Sequence, residues 1–113
     1  MVAVDGLPDM PVPEYDRQHL AGNNVILACG DVRIAMAHFK QGSRRVKTGA
    51  AAQVGQALGE VGNSGGSNEP HLHIHAQRPG PPGAPMGGEP LPMAFNGRFL
   101  VRGGRIDLPE TAP

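Results

Sequence analysis

The 113-residue sequence predicts an all-β fold, a glycine-rich antiparallel β-sandwich or barrel, and two observations support this prediction. The apolar residues fall in short, β-branched runs separated by turn residues, a pattern typical of strands and hairpins. Glycine and proline contribute 17 and 12 residues and aromatic residues only 4%, so the core must consist of aliphatic and small side chains. A chain of this length forms one domain or less.

Two runs in the first half of the chain predict a hairpin. Asn24–Cys29 is rich in β-branched and aliphatic residues, Val32–His38 alternates, and Gly30-Asp31 between them is a tight-turn signal. Because Cys29 lies in an apolar run, we expect it to be a small core residue. The alternation places His38 inward or into a groove, on the face it shares with Val32, Ile34 and Met36.

The other elements are predicted from shorter signals. Met1–Val4 should form a first strand, followed by a turn-rich loop over residues 5–23. Residues 42–62 alternate valine or leucine with glycine, which favours short strands and tight turns because glycine disfavours a helix. The single domain is expected to cover residues 1–106, with a Pro/Gly-rich loop at 78–88, a last hairpin in 89–106 (its strand at Phe99–Val101) and a disordered tail at 107–113.

Composition and charge exclude several classes of function. Ten basic and ten acidic residues give a net charge of zero, so nothing predicts binding to nucleic acid or to an anionic membrane. No run approaches the about 20 apolar residues of a membrane span. The start of the chain lacks the features of a secretory signal, and the compartment stays undetermined.

Three of the five histidines occupy alternate positions of one predicted strand, His71–Gln77. With period two, His71, His73 and His75 share a face at spacings of about 7 Å, so their imidazoles can converge on one ion or one substrate. Neutral imidazole is a good ligand for zinc, copper, iron or nickel. The alternative is that this strand simply presents its histidines to solvent at a sheet edge.

The motifs around these histidines resemble those of the lysostaphin/LytM-type zinc metallopeptidases. The resemblance rests on the run GNSG at 62–65 followed by EPHLHIH at 69–75. It also rests on Gly22-Asn23 before a strand, on the pair Ala37-His38 at the end of the next strand, and on the recurring glycines and valines between Gly42 and Gly59. It covers residues 21–106 and implies the fold called a duplicated hybrid motif, here missing its first strands.

The resemblance also implies an activity and a set of site residues. Members hold a catalytic zinc ion with three protein ligands and hydrolyse peptides of bacterial peptidoglycan. His73 is then the zinc ligand, His71 the general base, and His38 the residue that orients water or stabilises the oxyanion. His75 replaces an acidic residue common at its position, and we expect it to lie next to the ligands or at the rim of the site. The roles of His75 and His19 are not predicted.

One family feature is absent from the 113 residues. The other two zinc ligands come from an H-x-x-x-D motif, and no histidine here is followed by aspartate at that spacing. We therefore expect an N-terminally truncated peptidase. The alternative is a degenerate, non-catalytic family member that binds the cell wall or a protein partner. Oligomeric state is not predicted.

A hypothesis from a different class starts from the glycine-rich segment at 46–65. It is similar to the half-repeat of biotinyl and lipoyl carrier domains. A carrier needs a lysine in a Met-Lys-Met or Asp-Lys-Ala setting, and neither Lys40 nor Lys47 has one. A carrier also has no use for three histidines on one face, so this alternative ranks last.

Overall fold

The computed structural model describes residues 2–12, 14–66 and 70–95. Over these residues the chain forms one antiparallel sheet of five strands, each adjacent to the next in chain order. The strands are β1 (Val2–Val4), β2 (Asn23–Cys29), β3 (Val32–Phe39), β4 (His73–Gln77) and β5 (Pro90–Leu91). The described residues contain no helix, and hence none that could cross a membrane. The predicted all-β class is confirmed.

The predicted hairpin is present, but other predicted elements differ from those observed. Strand β4 begins at His73, so His71 precedes it. The short strands expected in residues 42–62 are wrong: this segment consists of turns and loops, with a single isolated bridge between Val61 and Phe39. Positive φ angles at Gly42, Gly49 and Gly55 break the extended backbone repeatedly. The predicted strand Phe99–Val101 and the tail lie outside the described residues.

The apolar core lies on one face of the sheet. Its buried centre is Val25, Phe39 and Val46, against which Ala3, Leu27, Met36 and Leu58 pack. Val46 and Leu58 belong to residues 42–62. These turns and loops therefore cover this face of the sheet in place of further strands. The expectation for Cys29 is wrong: it is exposed, because it ends β2 at the hairpin turn.

A β-bulge interrupts the pairing of β2 with β3. Val25 pairs with Met36 and Asn23 with Phe39, so two residues of β3 lie opposite the single residue Asn24. One of the two is His38, whose φ of 64° is the only positive value at a described residue other than glycine. A bulge shifts every later side chain by one position relative to the pleat. Phe39 therefore joins the core face, and His38 leaves it.

The expected placement of His38 on the face of Met36 is accordingly wrong. The alternation in the sequence is correct up to Met36, but the bulge adds one residue before the strand ends. His38 instead lies beside His71 and His73, at ring-centroid distances of 5.1 and 5.9 Å. The bulge thus brings His38 to the histidines of β4 and away from the apolar core.

The loop before β4 packs closely against the start of β2. Gly22 has a φ of 63°, and a Cβ placed on it would lie 2.2 Å from the carbonyl carbon of Ser64. Gly30, in the hairpin turn, has nearly the same φ of 61° but no atom within 4 Å of its Cβ position. The two glycines therefore share a backbone conformation and differ in their surroundings.

We predict that Gly22→Ala destabilises the protein much more than Gly30→Ala. Both substitutions place a side chain in the left-handed region, at about 1–2 kcal/mol. Only Gly22→Ala adds an overpacking cost of about 1–3 kcal/mol, because the loop at Ser64 must move. Urea unfolding of the two variants measures the difference, and equal free energies of unfolding would show that the loop does not pack as described.

Candidate metal centre

Strand pairing brings two of the histidines to one face of the sheet. His73 lies opposite Ala37 and His75 opposite Ala35, so the two imidazoles project from the same side of β4, as predicted. Both alanines are buried. Their small side chains leave room for the rings above them, whose centroids are 5.0 Å apart.

His38 is held in place by a hydrogen bond to the loop before β4. Its Nδ1 lies 2.8 Å from the backbone oxygen of Ser64. Because a carbonyl oxygen can only accept, Nδ1 carries the hydrogen, and in the neutral ring Nε2 carries the lone pair. The side chain is buried and in contact with His71 and His73. His38 therefore presents a preorganised acceptor nitrogen to the cluster.

Ser64 connects this loop to the bulge through buried hydrogen bonds. Its hydroxyl donates to the Phe39 carbonyl at 2.5 Å and accepts from the Asn23 backbone N–H at 2.9 Å. The Asn23 side-chain amide in turn donates to the carbonyls of Phe39 and Leu7. Ser64 and Asn23 are fully buried, and no buried side-chain N or O atom in the described part of the chain lacks a partner. This network holds Phe39, which follows His38 in the chain, and Asn23, which pairs with Phe39 across the sheet.

The three histidines assigned by the resemblance form one group. One nitrogen from each of His38, His71 and His73 lies within 4.8 Å of the other two. Tetrahedral zinc with bonds of about 2.0–2.1 Å to nitrogen sets its ligand atoms about 3.4 Å apart. The rings would therefore have to close by at most about 1.4 Å, a movement open to His71 and His73, which are exposed. The donor set and its spacing fit a zinc ion.

A small cavity lies beside this cluster. Its volume is about 220 Å³. Its lining combines histidine rings with small and apolar residues: Leu20, Ala21, Ala37, His38, His73, His75 and Met86. Met86 comes from the Pro/Gly-rich loop 78–88, which thus reaches the histidine cluster. None of the described residues that line it carries a carboxylate or an ammonium group.

Two more residues lie next to the cluster: His75, which was expected beside the ligands or at the rim, and Gln77, for which the sequence predicted no role. His75 contacts His73 through a hydrogen bond of 2.7 Å between its Nδ1 and the Nε2 of His73. The Nε2 of His75 lies 2.7 Å from Oε1 of Gln77, a residue that is only 1% exposed. The period-two pattern already places positions 73, 75 and 77 on one face, and the signal for Gln77 is its polar side chain at a buried end of the strand. His19 is elsewhere, in an exposed pair with Asp16 at 3.1 Å.

The electrostatic setting of the cluster keeps His73 neutral. Partial burial of its ring lowers the pKa of His73 below the ordinary 6.5, and the neighbouring His75, His38 and His71 lower it further. Much of the His73 side chain stays exposed, so the surrounding water moderates the effect. A neutral imidazole is the form that binds a metal ion.

This shift predicts a pH dependence of stability in the metal-free protein. In the unfolded chain His73 binds its proton near pH 6.5, whereas in the folded chain it resists protonation. The full free energy of unfolding is therefore present above pH 6.5 and falls as the pH drops below that value. His73→Gln, which cannot titrate, should weaken this dependence between pH 8 and pH 5.5. Identical urea-unfolding profiles for the two proteins across this range would contradict it.

Comparison with known proteins identifies the family. The model of peptidase family M23 matches residues 8–85, more than two thirds of the chain. The match includes His38, His71, His73 and the loop at Ser64. No curated protein matches the sequence significantly. With the motifs, the all-β fold and the histidine cluster already described, the match shows that the chain belongs to peptidase family M23, the metallopeptidase family of the lysostaphin and LytM type.

Proposed function

We propose that this domain is a zinc-dependent peptidase that acts on the peptides of peptidoglycan. The observation that supports this proposal most is the convergence of His38, His71 and His73 at one point of the sheet. These are the positions to which the family resemblance gives metal-binding and catalytic roles. The bulge and the Ser64 hydrogen bond bring His38 to the other two although it lies more than thirty residues before them.

Each of the three histidines has a separate role in the proposed hydrolysis. His73 would hold the zinc ion, which supplies Lewis acidity that polarises a peptide carbonyl and lowers the pKa of water. His71, exposed at the edge of the cluster, takes the proton of the attacking water. Neutral His38 has its hydrogen on Nδ1, so its Nε2 accepts a hydrogen bond from that water and orients it. To stabilise an oxyanion instead, His38 would first have to be protonated, because only then does Nε2 become a donor.

Access to the site and the family resemblance support the proposed substrate class. His71 and His73 are exposed, so the cluster is open on its solvent side to a peptide that belongs to a large polymer. The adjoining cavity has small and apolar walls that suit short side chains. The members of the family that the sequence resembles act on peptidoglycan peptides, and the proposal extends that substrate to this chain.

A second candidate function is metal or cell-wall binding without hydrolysis. The observation that favours it is the lack of an H-x-x-x-D motif in the 113 residues, which leaves His73 as the single family ligand. With their ligand atoms within 4.8 Å of one another, His38, His71 and His73 could together hold the ion. His38 and His71 would then bind the metal ion and could not act as catalytic groups. The carrier hypothesis has no further basis, since its glycine-rich segment lies inside the family match.

Single substitutions separate the two candidates. We predict that His73→Ala lowers zinc affinity at least about tenfold, since it removes a ligand atom. For a hydrolase, His71→Ala and His38→Ala should keep zinc affinity within about threefold of the wild type yet lower kcat by about 10²–10⁴, the usual contribution of general acid–base groups. Zinc affinity is measured by competition with a chromophoric chelator, and kcat on peptidoglycan peptides.

Different results would reject the two candidate functions. Three alanine variants that all lose zinc to the same extent would establish the three-histidine binding site and reject the catalytic assignment. Absence of zinc binding by the wild type would reject the peptidase and the metal-binding site, and would leave only cell-wall binding without a metal. His19→Ala is the control for losing an exposed histidine, since His19 pairs with Asp16 outside the cluster.

A further inference from the structure

A row of three polar side chains runs along one face of β4, from the metal centre to the end of the strand. His73 Nε2 lies 2.7 Å from His75 Nδ1, and His75 Nε2 lies 2.7 Å from Gln77 Oε1. The rings of His73 and His75 are nearly perpendicular, with an interplanar angle of 89°. The direction of each hydrogen bond in this row can be deduced from its buried end.

The orientation of the Gln77 amide is set by its backbone neighbours. Its Nε2 donates to the carbonyl of Pro85 at 2.8 Å and to that of Arg78 at 3.1 Å, which uses both amide hydrogens. The opposite orientation would bring Oε1 against two carbonyl oxygens, neither of which can donate. Gln77 is buried, and Gly88 packs so closely that a Cβ there would lie 2.9 Å from Nε2. The amide therefore has one favourable orientation, with Oε1 towards His75.

That orientation determines the hydrogens of both imidazoles. Since Oε1 of Gln77 only accepts, His75 must donate from Nε2, and the neutral ring then has its lone pair on Nδ1. This Nδ1 accepts the hydrogen of His73 Nε2. His73 consequently keeps its own lone pair on Nδ1. The reverse direction would place the lone pair of His75 Nε2 against the Gln77 oxygen.

We propose that His75 and Gln77 are positioning residues that fix the ring of His73 and present its Nδ1 to the metal centre. Metal-binding histidines generally donate their second ring nitrogen to an outer partner, and loss of that partner costs about 10–100-fold in metal affinity. Here the partner is a neutral imidazole, itself held by a buried amide. The role of His73 as ligand rests on the proposed function, whereas the direction of the hydrogen bonds does not.

The row also connects the Pro/Gly-rich loop to the centre. Gln77 is anchored to Pro85, and the neighbouring Met86 lines the cavity beside His73 and His75. The backbone N–H of Arg78 donates to the Glu89 carbonyl at 2.8 Å, which closes the base of the loop next to Gln77. Movement of the loop at Pro85 would thus disturb the amide that orients His75.

Five variants, one of them a control, test the proposal. His75→Leu removes the acceptor Nδ1 and the donor Nε2 and leaves a side chain of similar size. His75→Gln restores one of each on a single amide. His19→Leu is the matched control, because it removes an exposed histidine that pairs with Asp16 instead. Gln77→Leu is made alone and together with His75→Leu. Comparison of these two proteins shows whether Gln77→Leu by itself causes a folding defect.

The first measurement is made on uniformly ¹⁵N-labelled, metal-free protein at pH 8. A nitrogen–nitrogen coupling through the hydrogen bond from His73 Nε2 to His75 Nδ1 is expected in the wild type, with His73 protonated at Nε2. It should be lost in His75→Leu. Absence of the coupling in the wild type, or a hydrogen on His73 Nδ1, would overturn the proposal. This result does not depend on zinc, so it is independent of the proposed function.

The second measurement is zinc affinity, by competition with a chromophoric chelator. We expect His75→Leu to weaken binding about 10–100-fold, while His75→Gln and His19→Leu stay within about threefold of the wild type. Gln77→Leu should weaken binding alone but add little to His75→Leu, because residues of one hydrogen-bonded row are not additive. Wild-type affinity in His75→Leu, or full additivity, would overturn the proposal.

Discussion

The position of His38 depends on one constraint, the bulge that interrupts the pairing of β2 with β3. The bulge places a histidine in a left-handed conformation, which costs about 1–2 kcal/mol for a residue with a side chain. Buried hydrogen bonds to Ser64 hold it there: the Ser64 carbonyl accepts from the His38 ring N–H, and the Ser64 hydroxyl donates to the Phe39 carbonyl and accepts from the Asn23 N–H. Without this network the backbone could return to a regular ladder, and His38 would point into the apolar core.

The bulge also gives the two faces of the sheet different kinds of side chain. Phe39 follows His38 and enters the core beside Val25 and Val46, so that side is closed by apolar packing. The opposite side carries the imidazoles above buried alanines and opens to solvent at His71 and His73. Strained backbone at a functional site is a recurrent feature of proteins, since the strain persists only where surrounding contacts determine it. In this domain the strain lies at the residue that completes the histidine cluster.

The sequence predicted the parts of this arrangement that depend on local pattern. Alternation and a Gly-Asp turn were sufficient for the β2–β3 hairpin, and the period of two was sufficient for His73 and His75. The face of His38 could not be predicted, because the bulge arises from contacts with Ser64, more than twenty residues later in the chain. The role of Gln77 was missed for a similar reason, since its amide is fixed by the carbonyl of Pro85 across the loop. Short strands were wrongly expected in residues 42–62 because glycine spacing indicates turns but does not show whether strands lie between them.

Membership in peptidase family M23 and the cluster geometry support the same centre from independent directions. The most direct test of that centre is paramagnetic line broadening of histidine ring signals in NMR spectra as cobalt(II) is added to metal-free protein. The account predicts that the ring signals of His38, His71 and His73 broaden together at substoichiometric cobalt, while those of His19 persist. Broadening that affects His19 first, or that leaves His38 unaffected while His73 disappears, would contradict a single centre built by the bulge.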